Sequence, residues 1–196
     1  MNNPTPIILR TERFELRTMN RSDSPEAFMR WASDPEMMAP MNLPPRSLTS
    51  AQVTDYWGGF DNTSRYFFGI FERTTQQQVG FWVVELNDLH KTSTWHLAVD
   101  RSKWGEDVAV ETGIMLLDWM FSKIGIEKAI STTLTTNEKV IHRMRMGGWQ
   151  LEGVLRQEVR SLTGEGRLDQ MRFSLLRDEW PAARARLIAA WEKSRP

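Results

Sequence analysis

Cysteine is missing from all 196 residues of the chain. Its absence excludes a disulfide framework, a thiolate-ligated zinc site and a cysteine nucleophile. Histidine occurs only at His90, His96 and His142, which do not form a cluster with metal-ligand spacing, so we expect no metal site. Tyrosine is scarce as well: Tyr56 and Tyr66 stand against nine tryptophans and nine phenylalanines. Any chemical step that needs a phenol therefore depends on one of these two residues.

Net charge and long apolar runs are also absent. The 25 basic residues balance the 25 acidic ones, and because nucleic-acid-binding proteins usually carry a basic excess, we expect no nucleic-acid partner. No run of about 18 apolar residues occurs, so we expect no membrane partner. Residues 1–6 are polar and lack the basic and apolar regions of a signal peptide. These features predict a cytoplasmic protein.

Hydrophobic periodicity predicts one α+β domain over residues 1–196. Loose alternation over residues 7–19 predicts an opening strand. Asp23 followed by Pro25 predicts the start of a helix, with the aspartate as its cap. Residues 37–45 contain three prolines and three methionines, which predicts an irregular loop, and residues 47–60 have helical spacing.

The middle of the chain has the pattern of a β-meander. Strands are predicted over residues 66–72, 78–86 and 92–99. Because the turns between them are too short for a crossover helix, these strands should be antiparallel. The remaining elements are predicted as helices over residues 108–124, 139–146 and 181–193 and strands over residues 128–134, 149–160 and 167–175.

The most informative segment joins the third meander strand to the long helix. It runs from Trp95 to Glu111 and contains Gly105 just before the predicted helix. A strand that enters a helix through a glycine-containing loop can present free backbone amides to an anion, and the helix dipole favours phosphate there. Many such junctions bind nothing, so both a phosphate site and a purely structural junction remain open at this point.

Motifs along nearly the whole chain add information through their order and spacing. They are Leu9–Arg17, Trp31–Glu36, Phe68–Ile70, Val79–Gly80, Trp104–Gly105, Ala109, Glu111, Asn137, Gly148–Trp149, Glu152–Arg156 and Asp178–Trp180. In this order they resemble the GNAT superfamily of N-acetyltransferases, and within it the RimJ/RimL-like branch.

The resemblance implies a GNAT fold, in which helices flank a mixed sheet that contains an antiparallel meander and two splayed central strands. It also implies acetyl-CoA as cosubstrate and direct transfer of the acetyl group to a primary amine, on a peptide N-terminus or a small molecule. The cofactor-binding residues that it implies are Leu97, Ala98, Val99, Trp104, Gly105, Glu106, Asp107, Val108, Ala109, Asn137 and Arg143.

Two residues of the meander are candidates for the general base that removes a proton from the acceptor ammonium. His96 lies on the strand that the resemblance places beside the acetyl group, and imidazole titrates near neutrality. Glu85 lies at the end of the neighbouring strand. The alternatives are a packed imidazole at His96 and a solvated carboxylate at Glu85.

The sequence departs from the branch at two places. The cofactor loop usually reads Trp-Gly-Lys-Gly-Tyr-Ala, but here Glu106 and Asp107 replace the lysine and the second glycine and bring negative charge to a diphosphate site. Val140 stands where the family commonly has a serine, and it cannot protonate a leaving thiolate. The alternative is therefore a GNAT-like domain that has lost acetyl-CoA binding and serves as a binding or structural protein, or that uses another acyl carrier.

The methionine-rich residues 37–41 and the helix over residues 47–60 correspond to the region that shapes acceptor choice in this family. Methionine side chains adapt to apolar ligands of irregular shape. This surface suits either an apolar acceptor or a contact in a homodimer.

Overall fold

The computed structural model describes residues 5–194 and contains a mixed sheet of eight strands. The strands are β1 (Ile8–Arg10), β2 (Phe14–Thr18), β3 (Arg65–Glu72), β4 (Gln78–Asn87), β5 (Thr92–Val99), β6 (Lys128–Leu134), β7 (Gln150–Arg160) and β8 (Arg167–Leu176). The helices are α1 (Glu26–Ser33), α2 (Pro35–Met38), α3 (Ser50–Trp57), α4 (Val108–Trp119), α5 (Glu138–Met146) and α6 (Trp180–Ser194). None of the helices within residues 5–194 has the length and apolarity to cross a membrane.

The strand order is β1-β2-β3-β4-β5-β6-β8-β7, and every neighbouring pair is antiparallel except β5 and β6. This confirms the predicted meander. The parallel pair is short, because β5 and β6 are in register only from Thr92 opposite Lys128 to Thr94 opposite Ile130. Beyond these residues the two strands diverge, which confirms the splayed central strands of the expected fold.

Each face of the sheet is covered by helices, so alternate residues of the inner strands enter different cores. On β4, Trp82 and Val84 pack with α4 and α6, whereas Phe81 and Val83 pack with α1 and α3. The sequences of β3 and β4 are therefore nearly continuous apolar runs. The same alternation on β5 directs Trp95 toward α4 and Ala98 toward α1.

Two acidic side chains that follow β5 anchor the chain to neighbouring elements. Glu111 of α4 is 4% exposed and accepts from the Arg13 backbone amide at 3.0 Å and from its Nε at 2.7 Å. Burial alone would raise the pKa of Glu111, but hydrogen bonds from Thr11 and Arg13 lower it overall. Asp100, just after β5, accepts from Trp31 Nε1 at 2.7 Å, which ties α1 to this strand.

Two of the predicted boundaries are wrong for local reasons. Residues 7–19 form the hairpin of β1 and β2 rather than one strand, because the Thr11 amide and the Phe14 carbonyl close a turn. Asp34-Pro35 ends α1 and also starts α2, since the Asp34 side chain caps the Glu36 amide at 2.9 Å. The segment expected as an irregular loop therefore contains α2 and a 3₁₀ turn at Ala39–Met41.

The start of α1 also differs from the prediction. Pro25 precedes the helix, and no side chain caps it. Asp23, the expected cap, instead accepts from the Asn20 amide at 2.8 Å and from Arg17 Nη1 at 2.6 Å. Its carboxylate stabilises the preceding turn rather than the helix.

Asn42 fixes the chain that follows α2. It is 8% exposed and has a left-handed backbone with φ of 56°. Its Nδ2 donates to the Arg160 carbonyl at 2.8 Å, and its Oδ1 accepts from the Leu162 amide at 2.9 Å. One side chain therefore clamps the segment after α2 onto the tip of the β7–β8 hairpin.

Replacing Asn42 should loosen this clamp. We expect Asn42→Ala to lower the free energy of unfolding by about 2 kcal/mol, because two hydrogen bonds are lost and alanine disfavours the left-handed backbone. Asn42→Gly should cost about 1 kcal/mol, since glycine adopts that backbone freely. Urea unfolding measures both values, and equal stability of N42A and the unsubstituted protein would contradict the clamp.

Candidate functional site

A cavity of about 760 Å³ opens where β5 and β6 diverge. Its walls come from both sides of the gap and from the helices above and below it. The lining residues from the strands and from α4 and α5 include Trp82, Val83, Glu85, Trp95, His96, Leu97, Ala98, Ala109, Val110, Gly113, Ile114, Ser131, Thr132, Thr133, Asn137, Val140 and Arg143. Residues 28–56 supply the remainder of one end through Phe28, Met37, Met38, Met41, Leu43, Arg46, Leu48, Val53 and Tyr56.

Two tryptophans make a fixed part of the wall. The rings of Trp82 and Trp95 meet edge to face, with 5.8 Å between their centroids. Trp82 Nε1 donates to the Thr112 hydroxyl of α4 at 3.0 Å, and Trp95 Nε1 donates to the Ser93 hydroxyl at 2.5 Å. Because both indole N–H groups are satisfied, these side chains offer the cavity an apolar surface.

The loop between β5 and α4 has a left-handed backbone at two positions. Gly105 has φ of 91°, and Asp107, which directly precedes α4, has φ of 58°. Among residues 5–194, the amides of Gly105, Val108 and Ala109 find no hydrogen-bond acceptor. Three N–H groups at the N-terminus of α4 can therefore bind an anion.

The Glu106 carboxylate lies outside the cavity wall. It pairs with Lys103 Nζ at 3.2 Å, and the same Nζ pairs with Glu72 at 3.0 Å. Hydrogen bonds to these two carboxylates raise the pKa of Lys103, first that of Glu72 and then that of Glu106. Arg13 Nη2 donates to the Glu106 carbonyl at 2.9 Å. Lys103 and Arg13 therefore hold Glu106 in a network of polar contacts outside the cavity and offset part of its negative charge.

Helix α5 brings one amide and two cations toward this loop. The Asn137 side chain caps α5 by accepting from its first turn at 3.4 Å, and it also lines the cavity. Desolvation by the surrounding protein atoms lowers the pKa of Arg143 from its ordinary value, and the negative charge of Asp107 opposes this shift. Lys139 Nζ lies 4.8 Å from the centre of the Trp104 ring. The cation–π contact of Lys139 thus links α5 to the loop, and the charges of Arg143 and Asp107 attract each other.

Both candidate bases line the cavity on the face that α1 and α3 cover. His96 is opposite Val83 in the β4–β5 register, and Glu85 is opposite Thr94. Partial desolvation by the surrounding protein atoms lowers the pKa of His96 from the ordinary value of 6.5, while the Glu85 charge opposes this shift. The Glu85 carboxylate pairs with Arg65 Nε at 3.0 Å.

The predicted cofactor residues divide into two groups. Leu97, Ala98, Ala109, Asn137 and Arg143 line the cavity. Val99 and residues 104–108 do not line it, since they form the end of β5, the connecting loop and the start of α4. At that start Val108 is 2% exposed and belongs to the core. Trp104 Nε1 donates to the Val99 carbonyl at 2.8 Å, which holds the loop against the end of β5.

A family model described as an acetyltransferase (GNAT) domain matches residues 13–150, which is more than half of the chain. The chain belongs to the GNAT acetyltransferase family. An uncharacterized N-acetyltransferase, p20, from Bacillus licheniformis is 28% identical over 179 residues, covering 88% of this chain and 97% of p20.

Solved structures share the GNAT fold with this chain. A GCN5-related N-acetyltransferase from Brucella melitensis aligns with a TM-score of 0.79 and 17% identity, covering 95% of this chain and 86% of that one. The spermidine N-acetyltransferase from Vibrio cholerae, solved in complex with CoA and spermine, aligns with a TM-score of 0.77 and 16% identity, covering 87% of this chain and 99% of that one. At these identities the likeness concerns the fold alone.

The cavity of this GNAT domain also holds side chains that sequence reasoning did not single out as site residues. Its hydroxyl groups come from Ser131, Thr132 and Thr133 of β6 and from Tyr56 of α3. Partial desolvation raises the pKa of Tyr56 from its ordinary value of 10, so its phenol stays protonated at neutral pH. The scarcity of tyrosine drew attention to Tyr56, but only the packing of α3 on β4 brings it to the cavity. Within the described residues no group of three or more potential metal ligands occurs.

Backbone strain at Asp107 should be measurable. A left-handed conformation costs a non-glycine residue on the order of 1 kcal/mol, so we expect Asp107→Gly to raise the free energy of unfolding by about that amount. Gly105→Ala is the matched control, since a Cβ there would meet no atom within 4 Å and only the backbone would be strained. It should lower stability by about 1 kcal/mol in urea unfolding. A stabilising G105A or a destabilising D107G would contradict this description of the loop.

Proposed function

We propose that this GNAT domain transfers an acetyl group from acetyl-CoA to a primary amine. The observation that supports the proposal most directly is the continuous cavity through the gap between β5 and β6, whose lining includes the first turn of α4 as well as Glu85 and His96. A direct transfer requires donor and acceptor to meet in one enclosed space with their reacting atoms aligned. Within the family, the motif order favours the RimJ/RimL-like branch.

The residues around the gap fit an extended thioester donor that carries phosphates. The edge of β5 beyond Thr94 has no pairing with β6, so it can bind the amides of a pantetheine arm in the manner of an added strand. The free amides of Val108 and Ala109 suit a diphosphate, and Arg143 suits a further phosphate. Acetyl-CoA supplies the activated acetyl group.

The cavity side chains can manage the protons of the reaction. His96, with its lowered pKa, is neutral at pH 7 and can accept a proton from the acceptor ammonium, directly or through water. The amine then forms the C–N bond as the C–S bond breaks, the acetylated nitrogen releases one proton, and the departing thiolate takes up a proton. Tyr56 and the β6 hydroxyls are the available donors for that proton, because Val140 offers none.

A GNAT-like domain that no longer binds acetyl-CoA is the second candidate. It rests on two departures from the family pattern, the acidic loop and Val140. The loop repels a diphosphate less strongly than its sequence suggests. The Glu106 charge is partly compensated by Lys103, which also pairs with Glu72. The negative charge of Asp107 acts on Arg143. Three free amides and the Arg143 guanidinium therefore still favour an anion beside these acidic residues.

Donor binding tests the two candidates. We expect acetyl-CoA at millimolar concentration to raise the Tm in a thermal-shift assay, because a ligand that binds only the folded state stabilises it. Calorimetry should give Asp107→Gly a Kd for CoA that is lower by about fivefold, as one like charge near a phosphate is removed. Glu106→Gln is the control and should change that Kd by less than about twofold, since its charge is already paired.

No thermal shift with acetyl-CoA would refute the proposal and favour the non-catalytic candidate. Equal effects of D107G and E106Q on CoA affinity would refute the assignment of the larger phosphate repulsion to Asp107.

The pH dependence of kcat/KM tests the role of His96. A base must be deprotonated to act, and the pKa of His96 lies below 6.5, so activity should fall as pH drops through that region. We expect His96→Gln to lower kcat/KM by about 10²-fold or more and to abolish this acid limb. The ionisation of the amine substrate is common to both enzymes and cancels in the comparison.

Glu85→Gln is the matched variant on the neighbouring strand and should retain the acid limb of the profile. If H96Q keeps the limb and E85Q loses it, Glu85 is the base and the assignment to His96 is wrong.

A further inference from the structure

The charges along the cavity restrict which amines it can hold. Glu85 is the single carboxylate that lines it among the described residues, and Arg65 already pairs with that carboxylate at 3.0 Å. Arg46 and Arg143 also line it. An acceptor with several ammonium groups would leave the additional ones without a carboxylate, and a buried unpaired charge is strongly disfavoured.

Arg46 strengthens this restriction at the end that residues 28–56 form. Its side chain is exposed, so it lies where the cavity meets solvent, and it makes no ion pair with a described residue. The Arg46 backbone amide donates to the Ala32 carbonyl at 2.7 Å, which holds this residue beside α1. An unpaired guanidinium at this position repels a second cationic group on the acceptor.

The wall between these charges is aromatic and aliphatic. The Phe28 ring lies 5.9 Å from Tyr56 and 5.3 Å from Phe81, measured between centroids. Met37 and Met41 complete this surface, and their flexible side chains adapt to apolar groups. An acceptor with an apolar body would bury that surface on the aromatic cluster.

The same end is partly covered by a segment that hydrogen bonds tie to the β7–β8 hairpin. The Asn42 clamp holds the residues after α2 on the β7–β8 hairpin through hydrogen bonds of 2.8 and 2.9 Å. A covered apolar end suits a small molecule better than a polypeptide chain.

We propose that the acceptor is a small primary monoamine with an apolar body, and that Arg46 excludes polyamines. This inference rests on the proposed acetyl transfer. The amine would lie within reach of His96 and Glu85, and its apolar body would pack between Phe28 and the methionines.

Steady-state assays of thiol release from acetyl-CoA can rank acceptors directly. We expect 2-phenylethylamine and hexylamine to exceed spermidine at least about tenfold in kcat/KM, because only the monoamines avoid an unpaired charge. A peptide with N-terminal phenylalanine should be a poorer acceptor than 2-phenylethylamine. Calorimetric binding of 2-phenylethylamine to the protein gives a readout that does not depend on turnover.

Arg46→Gln tests the exclusion itself. It should raise kcat/KM for spermidine about fivefold and leave the value for hexylamine within about twofold, since one charge in water-like surroundings acts only on the additional cations. Arg10→Gln is the control, because Arg10 pairs with Glu15 on the outer hairpin and lies away from the cavity. R10Q should leave kcat/KM unchanged for both spermidine and hexylamine.

The outcomes separate the inference from the proposed function. Binding of acetyl-CoA together with a preference for spermidine, or for the peptide alone, overturns the inference and leaves acetyl transfer intact. If kcat/KM for spermidine is unchanged in R46Q, Arg46 does not exclude polyamines and that part of the inference is wrong. Absence of any acetyl-CoA binding overturns the proposed function, and this inference with it.

Discussion

The short pairing between β5 and β6 is the constraint on which the rest of the structure depends. Two parallel strands that separate after Thr94 leave backbone groups that water or a ligand must satisfy. The gap persists because each side is held independently. β6 is paired with β8 over its whole length from Lys128 to Leu134, and Asp100 holds the end of β5 against α1. Burial would raise the pKa of Asp100, but hydrogen bonds, that of Trp31 first, lower it to about 2.

The β5–α4 loop shows how a charge reversal can be tolerated at an anion site. Its geometry at Gly105 and Asp107 is one that glycine adopts freely, and three amides at the start of α4 remain without acceptors. Glu106 is drawn into an ion-pair cluster with Lys103 and Glu72, so its carboxylate lies outside the cavity wall. The backbone provides the anion site, and the paired side chain leaves that site accessible.

The two ends of the cavity have different chemistry because they belong to different faces of the sheet. Alternation along β4 and β5 sends the tryptophans toward α4 and directs Glu85 and His96 toward α1 and α3. The second face is completed by α2 and the segment that Asn42 holds. The methionines expected in an irregular loop are therefore ordered, and Met37 is 5% exposed.

The sequence by itself determined the strands, the main helices, the family and the lack of a thiol nucleophile, because periodicity, turn residues and ordered motifs are local signals. The predicted boundaries were wrong at β1–β2 and at α2, because one hydrogen bond or one helix cap divides each of these segments. Only the tertiary structure decided that Glu106 pairs with Lys103 beside Glu72, and that Arg46 and Glu85 line one cavity. Asn42 and Arg160 are 118 residues apart in the chain, yet they share a hydrogen bond. Such contacts depend on how the sheet is assembled, and no local pattern encodes them.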